Sequence, residues 1–407
     1  MTKRFNDARD WFFEKKFGFF IHWGLYAINA WHEQEQMRRG IPRSEYEKLI
    51  HQFNPKNFNP DHWLDLAEQT GMKYLCVTTK HHDGFCLWDT KQTDFNVMNS
   101  PYHKDILAMI AEACHRRNFP LCLYYSVVDW HHPNYPNCDH SHELPGPEPG
   151  DEPDLEKYLN FLKSQVKELC TDYGVIHGFW WDINQTGVKN PSINKMIRDL
   201  QPQAVINNRG FDEGDFGTPE RDWNNTVETS LSFPKPTEAC QSVGSESWGY
   251  RTNESYFTSE FLIRAIDSVL AKGDNYLLNA GPKADGTFPD EAVKILKDIG
   301  AWIKTAWESI EGTEPCSNLV KNRNILLTRK DKEFYIHLNK VPVTDCIILK
   351  PMNQMPLRAI LLNDGSKVNA AVEIMPNTHK EKKAQLYIDE LPIKKFRDTV
   401  MIVKLKF

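Results

Sequence analysis

The sequence lacks the marks of a membrane protein, a disulfide scaffold or a nucleotide enzyme. No run approaches the roughly 18 uninterrupted apolar residues that a spanning helix needs. Positive charge is not in excess: 49 Lys and Arg against 55 Asp and Glu leave a formal charge of −6. That argues against nucleic acid or an anionic membrane as the main partner. Nine cysteines stand singly, at Cys76, Cys86, Cys114, Cys122, Cys138, Cys170, Cys240, Cys316 and Cys346. An odd, scattered set with several members inside strand-like runs reads as reduced, mostly buried thiols. Without a CxxC pair a structural zinc site has no support. No GxGxxG follows the first strand-like run, and there is no GxSxG elbow and no HExxH. The opening MTKRFNDARDWFFEKKFG has neither the apolar core nor the cleavage site of a signal peptide. A cytoplasmic chain is the expectation for the sequence as it stands, and a periplasmic or secreted one if a leader precedes it.

What the chain does have is aromatic surface and a repeating pattern. Aromatic residues make up 12% of it and include 12 tryptophans, a composition suited to clefts that hold flat, partly apolar ligands such as sugar faces. Six nearly continuous apolar runs read as buried parallel strands: FGFFIHW, YLCVTTKHHD, LCLYYSVVD, IHGFWWD, AVINNR and NYLLNAGP. Amphipathic helical patterns lie between them at 60–71, 105–118, 154–174 and 259–273, with Pro60 at a start and Gly71, Gly174 and Gly273 near the ends. Strand–helix alternation on this scale predicts an α/β fold, a (β/α)8-type barrel or a doubly wound sheet, and the missing GxGxxG weakens the latter. After residue 312 the pattern becomes short alternating segments with turn signals such as Asn363-Asp364-Gly365, predicting an antiparallel β-sandwich. The expected division is a catalytic barrel over 1–312 and a C-terminal sandwich over 313–407. The Pro-, Gly- and acid-rich stretch 132–153 reads as a long loop on the barrel's functional face.

In a (β/α)8 barrel the active site collects at the C-terminal ends of the strands. Those ends are conspicuously polar: His22-Trp23, Lys80-His81-His82-Asp83, Tyr124-Tyr125-Ser126, Trp180-Trp181-Asp182, Asn207-Asn208-Arg209 and Asn279. Singly, each has a structural reading. His22 can be a hydrogen-bonded strand-end residue, Trp180 and Trp181 core, Asp182 a helix cap, and His131-His132 solvated. Repetition across strands favours one shared pocket, with KHHDGF as one wall. A metal hydrolase would draw on His81, His82, His131, His132, His140 and His142, but the one HxH spacing lies in the Pro-rich loop with no strand to orient it. Two-carboxylate glycoside chemistry fits better, with Asp182 suited to the nucleophile and Glu220 or Glu238 to the acid.

From about residue 10 to residue 310 the chain resembles glycoside hydrolase family 29, the α-L-fucosidases. The resemblance is carried by FGFFIHWGLYA, HEQEQMRRGIPRSEY, KHHDGFCLWDT, LYYSVVDWHHP, GFWWD, INNRG, GTPER, TEACQSVGSESWGY and NYLLNAGPKADG. It implies retaining hydrolysis of terminal α-L-fucosyl residues from a fucosylated oligosaccharide or glycoconjugate, with neither metal nor organic cofactor, and it leaves homo-oligomer formation open. Asp182 matches the nucleophile, and Trp180 lines the pocket. His22, His81 and His82 match residues that bond the sugar hydroxyls. Tyr125 and Arg209 match positions near the nucleophile, and Trp248 of SWGY is a further sugar contact. Glu33 lies where many members carry a Glu-Trp pair, although Gln34 follows here. For the acid/base the resemblance favours Glu238, with Glu220 of TPER as the rival. Asp274, where the family usually has glycine, reads as a local loop change. Two other readings remain open at this stage: a catalytically inactive fucose-binding barrel, and an exo-glycosidase for a related sugar such as an α-L-galactoside.

Overall fold

In the computed structural model, described over residues 4–221, 233, 235–322, 325–374, 380 and 382–407, seven parallel strands form one sheet. They are β1 (Phe17–Ile21), β2 (Tyr74–Lys80), β3 (Leu121–Ser126), β4 (Gly178–Asp182), β5 (Val205–Ile206), β6 (Glu238–Ser242) and β7 (Asn275–Asn279). Their spatial order is β5-β4-β3-β2-β1-β7-β6. All the paired residues of these strands are buried, which is why their sequences run apolar with no alternation. The six runs read as strands are six of the seven. The one missed is β6, whose EACQS is polar because its ends and inward face meet other polar groups.

A short extended segment, Phe216–Glu220, lies between the two sheet edges. Parallel bridges join Asn207 to Phe216, Gly217 to Thr237 and Glu220 to Cys240. The backbone N–H groups of Glu238 and Cys240 donate to Gly217 and Pro219 carbonyls at 2.8 and 3.0 Å. The sheet therefore wraps into a TIM-like barrel, with this segment standing where an eighth strand would.

Helices α1 (Pro60–Thr70), α2 (Ile106–Arg116), α3 (Leu155–Thr171), α4 (Pro191–Leu200), α5 (Ser259–Leu270) and α6 (Asp290–Ala306) follow the strands. Each of four begins at a side chain that caps its first turn: Asn59, Asp105, Asp154 and Thr258 accept from Asp61, Ala108, Lys157 and Phe261 N–H respectively. Helices α4 and α6 had no counterpart in the periodicity reading. At the lower, N-terminal end of the barrel the strands approach closely enough that side chains are fitted around glycine. A Cβ on Gly18 of β1 would stand 2.3 Å from the Tyr74 ring.

Beyond the barrel the strands become antiparallel. One sheet contains β8 (Glu314–Pro315), β9 (Leu326–Lys330), β10 (Glu333–Leu338), β12 (Arg358–Leu361) and β15 (Met401–Lys406). The other contains β11 (Ile347–Leu349), β13 (Asn369–Glu373) and β14 (Gln385–Asp389). They enclose an apolar core that includes Leu327, Ile336, Leu349, Leu361, Leu386 and Val403. A buried polar joint meets the barrel: His337 of β10 hydrogen-bonds Asp267 of α5 at 2.6 Å and Thr328 at 3.1 Å, and Trp302 of α6 donates to Val400 O at 3.2 Å.

The close approach at Gly18 gives a direct test of barrel packing. Gly18→Ala forces the Tyr74 ring to move within a filled interior and is expected to cost about 1–3 kcal/mol in urea unfolding. An unchanged midpoint would show that the lower barrel has room to relax.

Candidate active site

The upper strand ends converge on a pocket of about 120 Å³ lined by Phe20, His22, Glu33, Gln34, His81, His82, Tyr124, His142, Trp180, Asp182, Ile183, Arg209, Glu220, Cys240 and Trp248. Asp182 closes β4, and both of its oxygens are engaged. Oδ2 accepts from the Tyr124 hydroxyl at 2.7 Å, and Oδ1 accepts from Arg209 Nη1 at 3.1 Å. Burial by itself would raise the Asp182 carboxyl. The positive field of Arg209, the neighbouring His82 and the two hydrogen bonds outweigh it and hold the group below the usual aspartate range. An ionised carboxylate with a low proton affinity is thereby kept at a position only 8% exposed.

Arg209 serves both sides of the site. Its Nη2 lies 2.8 Å from Glu220 Oε2, Nε donates to Thr218 Oγ1 at 2.7 Å, and its guanidinium lies 4.7 Å from the Trp180 ring centroid. One planar cation thus spans Asp182 and Glu220. Glu220 reaches this position because the bridging segment sets it opposite Cys240, toward the upper end of β6.

The histidines supply neutral polarity. His22 Nδ1 lies 2.8 Å from Asn279 Oδ1, while the Asn279 amide donates to Ser242 Oγ and Trp248 O. That network fixes the His22 proton on Nδ1 and leaves Nε2 to accept. The Ser126 hydroxyl donates to Val128 O at 2.6 Å, so its oxygen accepts from His82 Nδ1 at 2.6 Å. His82 Nε2 then faces Asp182 Oδ2 at 3.8 Å as an acceptor. Burial lowers all three rings, His82 to about 4 and His81 well below its ordinary range, with His22 moved the same way. Near neutral pH they offer donors and acceptors without net charge. His81 stacks on Tyr124 with ring planes 6° apart, and its Nδ1 has no hydrogen-bond partner.

Glu33 acts at the rim. Its Oε2 accepts from Ser247 Oγ at 2.6 Å, Trp248 N at 2.9 Å and Gly249 N at 3.3 Å. This ties the loop after β1 to the loop after β6 and seats Trp248 against His22, 5.2 Å between ring centroids. Arg221 covers the Trp248 ring at 4.7 Å.

Three sequence-based placements need correction. Tyr125 points out of the barrel, donating to Gln165 Oε1 of α3 at 2.6 Å. Successive strand residues face opposite sides, so the pocket tyrosine is Tyr124, on the same face as Ser126 and paired with Trp180 across β4. Of the KHHD quartet only the two histidines face the pocket. Lys80 is buried outside the barrel against Asp129 at 2.5 Å, and Asp83 accepts from Tyr46 OH at 3.0 Å. The third correction is Glu238. It opens β6 at the lower end of the barrel, 2% exposed, accepting from Tyr74 OH at 2.5 Å and Trp180 Nε1 at 3.0 Å. It lines a separate cavity of about 10 Å³, and the Trp180 indole, which borders both spaces, stands between it and the pocket.

Elsewhere, His131 stacks on Phe95 at 4.0 Å, and His132 packs against Phe161 at 4.2 Å. Among the described residues no cluster of His, Cys, Asp or Glu has the arrangement to hold a metal, and no helix is long and apolar enough to cross a membrane. Gln34, Ile183, Phe20 and Cys240 carry no site assignment from sequence; Tyr124 reads there only as one of three strand-end residues, and His142 only as a metal-ligand candidate. Phe20 and Tyr124 were within reach of a two-residue strand count back from His22 and Ser126. The others sit on loops or on the missed strand.

The sequence model of the alpha-L-fucosidase family matches residues 2–308. Human plasma alpha-L-fucosidase is 28% identical over 364 residues, covering 81% of this chain and 76% of the human protein. Alpha-L-fucosidase isoenzyme 1 from Paenibacillus thiaminolyticus superposes with a TM-score of 0.86 at 33% identity, covering 98% of this chain and 99% of that one. A family 29 alpha-L-fucosidase from Bacteroides thetaiotaomicron, trapped as a covalent intermediate with 2-fluoro-fucosyl fluoride in a glutamate-to-glutamine mutant, superposes at 0.83 with 27% identity, covering 100% and 97%.

The buried acid beneath the pocket makes a pH-dependent prediction. Burial pushes Glu238 up to about 7 against the hydrogen bonds from Tyr74 and Trp180. A raised native pKa contributes stability below the unfolded value near 4.5, and that contribution is lost as pH rises through about 7. Glu238→Gln should therefore match the wild type at pH 5 and exceed it by roughly 2–3 kcal/mol at pH 9. Urea unfolding of both proteins at the two pH values decides this, and a pH-independent difference would refute it.

Proposed function

From the premise that the chain belongs to the alpha-L-fucosidase family, we propose the division of labour by which it acts as a retaining α-L-fucosidase on fucosylated glycans: Asp182 is the nucleophile and Glu220 the acid/base. The carrying observation is the single guanidinium of Arg209, which bonds Asp182 on one side and pairs with Glu220 on the other, inside one pocket. Retaining hydrolysis needs two carboxyl groups about 5–5.5 Å apart on either side of the anomeric carbon. Asp182 attacks that carbon while Glu220, protonated, gives its proton to the departing oxygen. Glu220 then takes a proton from water as water displaces Asp182, so the sugar leaves with its configuration kept.

The pocket's other contents suit a 6-deoxy sugar. Phe20, Ile183, Trp180 and Trp248 present apolar surface to a methyl group and a ring face. His22 and His82, with Nδ1 committed to the protein, turn acceptor nitrogens toward hydroxyl protons. As a positive charge develops on the sugar ring, Asp182 lies close to it, and histidines that stay uncharged do not oppose it.

Hydrolysis of p-nitrophenyl α-L-fucoside with azide present tests the assignment. Asp182→Ala is expected to lose turnover and, with azide, to yield β-fucosyl azide. Glu220→Ala should yield the α-azide and lose on the order of 10²–10⁴-fold in rate on substrates with poor leaving groups. Azide rescue of a Glu238 variant in place of Glu220 would reverse the roles.

The pH profile gives a second check. The wild-type rate should fall at low pH as Asp182 and His82 (about 4) take up protons. A wild-type rate that does not fall as pH is taken below about 4 would contradict this.

A further inference from the structure

The stretch 132–153 is longer than most connections, yet it is firmly built. Arg43 gathers it: Nη1 donates to His131 O at 2.8 Å, Nη2 to Asp151 Oδ1 at 2.6 Å, and its backbone N–H to the Glu148 carboxylate at 2.9 Å. At the centre the buried Glu143 carboxylate accepts from Tyr135 OH at 2.7 Å, Cys138 N at 3.1 Å and His140 N at 3.3 Å. This frame holds His142 at φ +70°, a left-handed conformation that a residue with a Cβ adopts at a cost. Trp130 Nε1 fastens the His142 carbonyl at 2.8 Å, and Gln185 fastens the Ser141 carbonyl at 2.5 Å.

The effect of that backbone is to put the His142 ring in the pocket. It lines the pocket beside Ile183, and its centroid is 5.7 Å from that of His82. Ser141 Oγ lies 2.7 Å from its Nδ1, which leaves Nε2 as the uncommitted nitrogen. Its placement relative to the two carboxylates matters. His82 and Tyr124 flank Asp182 on the Oδ2 side, whereas Arg209 and Glu220 flank it on the Oδ1 side. The proton donor marks where the leaving oxygen must lie. His142 neighbours His82, which groups it with the Oδ2 flank of Asp182, where the sugar ring itself has to sit.

We infer that His142 is a specificity-determining residue that hydrogen-bonds a ring hydroxyl of the fucosyl unit through Nε2, not the leaving group. This rests on the retaining fucosidase reading above. It also assigns the 132–153 loop a role in reading the sugar, where a loop at the rim of a pocket would ordinarily be taken to read the aglycone.

His142→Gly removes the side chain and tolerates the φ of this position, and His142→Asn also enters that region readily. Four measurements on each, beside the wild type, decide the matter: kcat/KM on p-nitrophenyl α-L-fucoside, kcat/KM on a fucosyl disaccharide, kcat/KM on the monodeoxy nitrophenyl fucosides, and the Kd of free L-fucose by calorimetry. Loss of one hydrogen bond should lower kcat/KM roughly tenfold on both parent substrates and weaken L-fucose about as much. For one monodeoxy substrate, the one lacking the bonded hydroxyl, the variants should match the wild type. A loss confined to the disaccharide would make His142 a leaving-group contact and overturn the inference. So would a loss of equal size on every deoxy substrate, which marks a merely structural role, or no loss at all in an active enzyme. If the wild type binds L-fucose without hydrolysing either substrate, the fucosidase reading falls while weakened binding in the variants still upholds His142. If it neither binds nor hydrolyses, both fall.

Discussion

The pairing of Arg209 with Asp182 and Glu220 is the interaction on which the site depends. A lone carboxylate in this pocket would be raised by burial and held protonated, and it would then be a poor nucleophile. The guanidinium reverses that outcome for Asp182 and simultaneously fixes Glu220, while Trp180 and Thr218 orient the guanidinium itself. Buried charge networks of this kind seldom add stability over an apolar core. Their value here is positional, since both carboxylates are referred to the same rigid plane.

That arrangement needs a barrel to hold it. Arg209 follows the short β5, Asp182 ends β4, and Glu220 arrives on the segment that bridges β5 and β6. Because that segment pairs Glu220 with Cys240, its side chain lies near the upper rim. Glu238, two residues earlier on the same strand as Cys240, is instead enclosed below Trp180. Two glutamates close in sequence are thus sorted into different environments, one salt-bridged at the mouth and one buried as an acid raised to about 7. Glu238 still touches the site indirectly, because it hydrogen-bonds the tryptophan that forms the pocket floor.

The loops add what the strands cannot. Glu33 collects three donors from the 247–249 turn and so locates Trp248 over His22. The 132–153 loop, internally braced on Glu143 and Arg43, delivers His142 from the other side. With three strand-end histidines kept neutral by burial, the pocket presents uncharged ring nitrogens and gathers its charge at Asp182, Arg209 and Glu220.

Much of this was legible in the order of residues. Buried parallel strands announce themselves as unbroken apolar runs, and the polar residues that end them mark the functional face of a barrel before any coordinate is known. His22, His81, His82, Trp180, Asp182, Arg209 and Trp248 all follow from that logic joined to the family's motifs, and the change to alternating segments after residue 312 marked the antiparallel sheets. What the linear order could not decide was direction and height. Tyr124 and Tyr125 are adjacent letters, and only the phase of β3 says which enters the pocket. Glu220 and Glu238 both sit in recognisable motifs, and only the register of the bridging segment against β6 lifts one to the rim and sinks the other. The 132–153 stretch reads as a loop on the functional face, yet His142 enters that reading only through an HxH spacing and Glu143 not at all, until the fold bends the loop back over the strands. Composition and periodicity are properties of the chain, whereas the choice among neighbouring side chains is made by pairing between segments far apart in sequence.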